Sequence, residues 1–466
     1  MTMAELWSIM PLLIIAAGAL AVLLLGAVMP GRYGTTVGVA TLAGAIFWCI
    51  QTPPEAATTL GVSLSPMGRF FTGLFSLTAA LVMLLSHDYN ERRGIRGEEY
   101  PASILFAAFG MAVLSAATNL LILFLGLEGL TFAFYFLVAI DREREESGEA
   151  GLKYLLLGAV SAAFIAFGIA LVYAGAGTLE IMPAMKALLP GSKVDPLLLG
   201  GVGFILAGMA FKISLVPAHL WTPDVYEGAP APVVALLSTA SKGAAIVFLL
   251  LLFAGTGPIE VLQVPLWVLS LLSMIVGNLA ALLQKNLKRM LGYSAIAQMG
   301  YVTLALLSGS EGYRAAVFYL VAYTAMNLAA FGVIASLSVE GEPGELNDFR
   351  GLGYTRPFQG GVLALAMFAL AGIPPTAGFV GKFFIFSAAL RGGEVTLAVI
   401  GILTAVVSVY YYLRVVVNLY MHSAEGAEAV NPGTVVETFS LAAVSLVTVI
   451  LGLYPGPLLG IVERLF

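Results

Sequence analysis

The chain has 466 residues, of which 60% are hydrophobic and only 11% charged, with a mean hydropathy of +0.97 and a formal net charge of −5. Soluble domains carry about 25% charged residues, so a water-soluble fold is excluded and an all-α polytopic membrane protein is expected. The small, dispersed charge excludes a nucleic-acid partner, and the lone Cys49 excludes an intrachain disulfide or a cysteine metal cluster. His87, His219 and His422 have no metal-ligand spacing, and neither GxxxxGK[ST] nor GxGxxG after a strand occurs.

A spanning helix needs about 20 mostly apolar residues. Fourteen segments qualify, at about 7–29, 34–51, 69–87, 101–117, 119–140, 152–174, 196–217, 229–255, 263–284, 288–309, 313–338, 357–386, 395–421 and 434–458. The start, MTMAELWSIM, is acidic and has no small-residue cleavage site, so the first helix is read as retained. Only Thr118 and Asn119 separate the fourth and fifth segments, which demands a tight turn. Residues 179–193 read as an interfacial helix or loop, and 340–356 is the longest polar connection. With the N-terminus outside, the inner loops hold Arg32, Arg92, Arg93, Arg96, Arg142, Arg144, Lys285, Lys288, Arg289, Arg350 and Arg356. The outer side holds only Arg69, Lys186, Lys193, Arg314, Arg391 and Arg464. This bias predicts both termini on the outer, periplasmic side of the cell membrane.

Helices four to eight and nine to thirteen form two blocks of five. An odd block length forces the second to run in the opposite sense, so two inverted repeats are expected. The division is 1–100 for helices one to three, 101–256 and 257–422 for the two repeats, and 423–466 for helix fourteen. Each block has one proline-interrupted span: the seventh, at Pro217, and the twelfth, at Gly372–Pro375. Paired broken helices in inverted halves are the sequence mark of a transporter-type ion site.

A charge at the centre of a membrane helix costs roughly 2.5–3.5 kcal/mol by insertion scales, so each one needs a use or a partner. Glu128 lies near mid-helix in NLLILFLGLEGLTFAFYFLV, as a titrating acid or as a structural partner to a neighbouring helix. Lys212 closes LLLGGVGFILAGMAF beside the seventh break, as part of an ion path or as a snorkelling base. Lys242 and Lys382 lie deep in their spans, where snorkelling is hard. Lys153 opens the sixth span and reads equally as an inner-face anchor or a relay group. His219 reads equally as a proton group or as an interfacial residue beside Trp221. Asp224 and Glu227 read as caps or turn contacts, and Lys285, Lys288 and Arg289 as determinants of topology. A buried ammonium can release its proton because desolvation disfavours charge, and a nearby carboxylate counters this. Glu128, Lys212, Lys242 and Lys382 therefore form a candidate proton relay.

The runs FKISLVPAHLWTPDVYEGAPAPVVALLS, LKRMLGYSAIAQMGYVTLAL and LAGIPPTAGFVGKFF resemble the subunit N family of bacterial NADH:quinone oxidoreductase, respiratory complex I. The similarity covers nearly the whole chain, and WTPDVYEGAP is its most specific piece. The resemblance implies an antiporter-like subunit of the membrane arm, with inverted five-helix repeats and broken seventh and twelfth helices. It implies functional residues at Glu128, Lys153, Lys212, Lys242 and Lys382. It also implies no cofactor on this chain: NADH, FMN, iron–sulfur clusters and quinone would belong to other subunits, and the partners would be the other membrane-arm subunits, lipid and protons. Many relatives are acidic near the start of the third helix, where this chain has Ser65. The alternative function is that of a Mrp-type cation/proton antiporter subunit. A purely structural scaffold would leave four mid-membrane charges unexplained.

Overall fold

The computed structural model describes residues 3–29, 31, 33–51, 61–95, 97–189, 195–253, 260–338, 341–423 and 434–466. Arg32, Arg96 and Lys193 of the loop-charge argument, and the expected 256/257 division between the repeats, lie outside the described residues. Each of the fourteen expected spans corresponds to a helix. The first six are Met3–Val28, Gly34–Gln51, Pro66–Arg92, Glu99–Ser115, Leu120–Val138 and Glu145–Ala176. The seventh is broken into Pro196–Ile213 and Trp221–Gly228. The eighth runs from Ala231 to Phe253 through a widened π turn at Leu237–Ser241. Glu260–Leu282, Leu287–Leu306 and Gly309–Ser336 follow. The twelfth is broken into Pro357–Ala371 and Ala377–Arg391, and Val395–Met421 and Val435–Leu453 complete the set. A short helix, Gly456–Val462, and a 3-10 turn, Glu463–Leu465, follow the fourteenth span.

Eleven of these helices are long and apolar enough to cross a membrane on their own. The fourth has only 17 residues, the twelfth is split, and Lys288, Arg289, Ser294 and Gln298 dilute the tenth. Burial orders the bundle. The most apolar stretches of the eighth and eleventh spans are 94% and 89% buried, so these helices form its centre. The first, sixth, thirteenth and fourteenth are only about a third buried and face outward. Backbones approach closely where small residues meet, as lipid-immersed helices require in place of a hydrophobic driving force. A Cβ on Gly110 would lie 2.4 Å from the Leu130 nitrogen, and one on Gly126 2.5 Å from that of Leu114. This contact joins the fourth and fifth spans two residues before Glu128. Ser161 in turn donates to the Gly208 carbonyl across the sixth and seventh spans.

The inversion is visible in two matching sets of hydrogen bonds. Asn119 caps the fifth span by accepting from the Ile122 N–H, and the connection before it pairs with the one before the short helix Ile181–Lys186. There the Leu120 N–H donates to the Leu179 carbonyl and that of Ile181 to Thr118. Asn286 caps the tenth span from the Arg289 N–H. Leu287 donates to Gly344, and Leu346 to Lys285, before the short helix Leu346–Phe349. The first set joins the 4–5 and 6–7 connections and the second the 9–10 and 11–12 connections, so equivalent structures stand at opposite ends of the bundle. The ion pairs respect the same sides. Arg93–Asp141, Arg92–Glu437, Arg144–Glu342 and Lys288–Glu342 all join odd-numbered connections or the helix ends beside them. This end is called the charged end below. Ser65, where many relatives have an acid, caps the third span by accepting from the Gly68 N–H.

Candidate proton path

Each broken helix stops for a local reason. In the seventh span Asp195 caps the start and Pro196 sets the first turn. Ser214 then turns left-handed (φ 71°) and ends the helix, with the Leu215 N–H closing onto the Ala210 carbonyl. In the twelfth span Gly372 turns left-handed (φ 84°), and the Ile373 N–H closes onto Phe368 in the same way. Both breaks contain a cis X–Pro bond, Val216–Pro217 and Pro374–Pro375. A stopped helix leaves its last carbonyls without intrahelical donors. In both halves a lysine supplies them, since an ammonium carries three N–H donors and no acceptor.

Lys242, only 1% exposed, follows the π turn of the eighth span and donates to the Ile213 carbonyl (3.2 Å) and to Ser214 Oγ (2.6 Å). The Trp221 and Tyr226 rings lie 5.5 and 5.7 Å from its Nζ, at cation–π range. The freed Phe211 carbonyl accepts from Trp221 Nε1, and the Val216 N–H finds Ser273 Oγ. Lys382, 5% exposed, donates to the carbonyls of Leu370 (2.7 Å) and Ala371 (3.3 Å), with the Tyr301 ring 5.6 Å from Nζ. Neither lysine points into lipid.

Lys212 lies on the last turn of the first half-helix. Its Nζ is 3.0 Å from a Glu128 carboxylate oxygen and donates to Thr131 Oγ1 at 2.9 Å. The two side chains are 4% and 14% exposed, so this acid–base pair is largely shielded from the surface, two residues along the fifth span from the Gly110–Gly126 contact. Lys212 thus stands just before the break and reaches the fifth span, whereas Lys242 reaches the break itself from the eighth. His219 is buried within that break.

At the second break, among the described residues, no carboxylate pairs with Lys382. The carbonyl of Leu370, which receives Lys382, also receives Gln298 Nε2. Gln298 further donates to Tyr412 and accepts from Tyr319, and Tyr412 shares a short hydrogen bond with Ser294. A neutral ladder of amide and hydroxyl groups therefore stands where the first half places charge.

Lys153 departs from the buried set. Its side chain is 42% exposed at the charged end, paired to Glu149 and Asp224 at 2.8 Å each. Asp224 is more than a turn contact, because it also meets Arg289 at 2.6 Å, and Arg289 meets Glu227 at 2.8 Å. Nor does Lys288 act merely as a loop anchor: it is 2% exposed, paired to Glu342 at 2.7 Å, and donates to the Ala229 carbonyl. Glu342, equally buried, also receives Tyr89 and Arg144. Arg144, Lys153, Asp224, Lys288, Arg289 and Glu342 border a cavity of ≈ 340 Å³ at the charged end. The sequence carried one signal for part of this. Asp224 and Glu227, three apart, share one helix face and can share one cation.

Two inverted bundles, broken helices and buried lysines on the breaks define an antiporter-like membrane subunit. Residues 117–408 match the family model for the NADH:quinone oxidoreductase/Mrp antiporter transmembrane region. The chain is 64% identical over 467 residues to NADH-quinone oxidoreductase subunit N of Geotalea uraniireducens, covering 100% of both chains. It is 61% identical to the Geobacter metallireducens subunit N, covering 98% of each. A chain of respiratory complex I from Thermus thermophilus with bound aureothin matches with TM-score 0.84 and 34% identity, over 97% of this chain and 98% of that one. A chain of the Mrp complex from Dietzia matches with TM-score 0.85 at 22% identity, over 100% of this chain and 97% of that one, which establishes a shared fold only. The chain belongs to the NADH-quinone oxidoreductase subunit N family.

Proposed function

We propose that this chain is a proton-translocating subunit in the membrane arm of an NADH:quinone oxidoreductase, held among the other membrane-arm subunits. In this reading NADH, flavin, iron–sulfur and quinone chemistry takes place elsewhere in the complex, and this chain contributes the proton path. Both termini lie outside, and the charged end faces the cytoplasm. Residues 101–256 and 257–422 act as the two halves. The observation that carries the reading is the buried Glu128–Lys212 pair set against Lys242 across one helix break. Two ammonium groups on one break repel, and a carboxylate beside only one of them biases where positive charge rests. Closing the pair favours charge on Lys212, and opening it favours transfer toward Lys242. Lys382 is the next buried base, reached past the Tyr319–Gln298 ladder. His219, buried in the same break, is a further proton group in this reading.

The Mrp-type alternative rests on a shared fold at 22% identity, against 64% identity over the full length to a subunit N. A tagged chain purified from its membrane and reconstituted into vesicles separates the two. The proposal expects other complex I subunits to co-purify and NADH with quinone to drive acidification. Recovery with a Mrp set, with acidification driven by a sodium gradient alone, would overturn it.

A further inference from the structure

The half-helix Trp221–Gly228 connects the charged end of the bundle to Lys242. At its buried end Trp221 and Tyr226 stand over Lys242, and Thr222 Oγ1 donates to Ser214 Oγ at 2.6 Å. That same Ser214 oxygen accepts from Lys242. Thr222, Ser214 and Lys242 therefore form one hydrogen-bonded unit, so a shift of the half-helix alters an acceptor of the lysine. At the other end the half-helix is held by charge. Asp224 Oδ2 meets Lys153 of the sixth span, and Asp224 Oδ1 meets Arg289 of the tenth. Packing seats it as well: Trp221, Val225 and Tyr226 are buried, with Tyr154 and Phe211 against Trp221 and Phe331 against Tyr226, while Gly228 lies against the Glu146 carbonyl and Gly292 against Pro223.

The repeat adds an independent observation. Ser214 and Gly372 are the left-handed residues that end the two first half-helices. Asp224 is the tenth residue after Ser214, and Lys382 is the tenth after Gly372. Each half thus carries one charged group at the same place beyond its break. Lys212, by the same register, has Leu370 as its counterpart, whose carbonyl receives Lys382.

We propose that Asp224 is a positioning residue for proton transfer. Its two ion pairs latch the half-helix so that Trp221, Tyr226 and Thr222–Ser214 hold Lys242 in its receiving geometry. The proposal rests on the proton-path reading above and assigns Lys153 to this latch at the rim rather than to the buried chain. It needs no covalent step, because the half-helix moves a hydrogen-bond acceptor and two rings.

The test uses the assembled complex in vesicles, with NADH-driven acidification read beside electron entry to an artificial acceptor. Asp224→Asn, which breaks charge but keeps size, is expected to lower acidification about tenfold, the range for losing charged hydrogen bonds, with electron entry unchanged. Asp224→Glu is expected to restore it to within about twofold, because the carboxylate can still reach both cations. Normal acidification in Asp224→Asn, or equal loss in Asn and Glu variants, would overturn the proposal. If Asp224→Asn reduces assembly, Lys153→Gln takes its place: the half-exposed side chain removes one arm of the latch, and unchanged acidification there would overturn the proposal as well. Lys242→Met is run in parallel. If it transports normally, the proton-path reading itself fails; if it fails while Asp224→Asn transports normally, only the latch fails.

Discussion

The Glu128–Lys212 pair separates a structural from a transporting role. Glu128→Gln leaves Lys212 with only neutral acceptors, Thr131 and the new amide, and Lys212→Met leaves Glu128, 14% exposed, without its cation. Breaking one side of a buried pair costs about 3–5 kcal/mol, whereas replacing both sides with neutral groups of similar volume is often nearly neutral. Folded proteins have only about 5–15 kcal/mol of net stability, so each single variant should reduce the amount of assembled complex or its thermal midpoint. The double variant Glu128→Gln/Lys212→Met leaves no unpaired charge and should recover assembly on native gels. It should not recover acidification, because the charge bias against Lys242 is gone. Fluorescence quenching in inverted vesicles, normalised to assembled complex, reads this directly. Acidification that returns together with assembly in the double variant would show that the pair is structural and refute the relay.

Three further outcomes follow from particular contacts. Cysteines at Arg93 and Ser423 should be shielded from an impermeant thiol reagent in intact cells, and one at Glu463 should react; the reverse pattern would invert the assigned orientation. Gly126→Leu should abolish assembly, since even a Cβ there comes within 2.5 Å of the Leu114 backbone, while Gly73→Leu, with nothing within 4 Å, should assemble normally; equal levels of the two on native gels would contradict the packing. Lys382→Arg should lose acidification although it keeps the charge, because a guanidinium stays protonated and its planar fork does not fit the Leu370 and Ala371 carbonyls; transport at the normal rate would remove Lys382 as a site that releases protons.

Much of this architecture could be read from local sequence. Twenty-residue apolar runs mark spans because an unsatisfied backbone in lipid is so costly that helix is enforced. Pro217 and the Gly372–Pro375 run mark both breaks for steric reasons that act within a few residues. Glu128, Lys212, Lys242 and Lys382 stand out because charge is rare in apolar helices. What escaped depends on contacts distant in sequence. Glu342 lies in an ordinary polar connection, yet it is buried by Tyr89, Arg144 and Lys288 from three separate elements. Lys288 has the sequence of a helix-flanking anchor and becomes buried only because Glu342 and the Ala229 carbonyl converge on it. Asp224 looks like a turn residue until Lys153 and Arg289 are brought to it. In the second half the partners of Lys382 are two backbone carbonyls and the face of Tyr301, groups with no charge to mark them.

In the proposed path protons cross this chain through its buried bases, with Lys242 seated on the first break. The most direct measurement is the number of protons moved per electron pair in proteoliposomes containing the fully assembled Lys242→Met complex, compared with the unsubstituted one. The account predicts a lower proton yield or a collapse of coupled turnover, with electron entry to an artificial acceptor intact. An unchanged yield at unchanged turnover would contradict it.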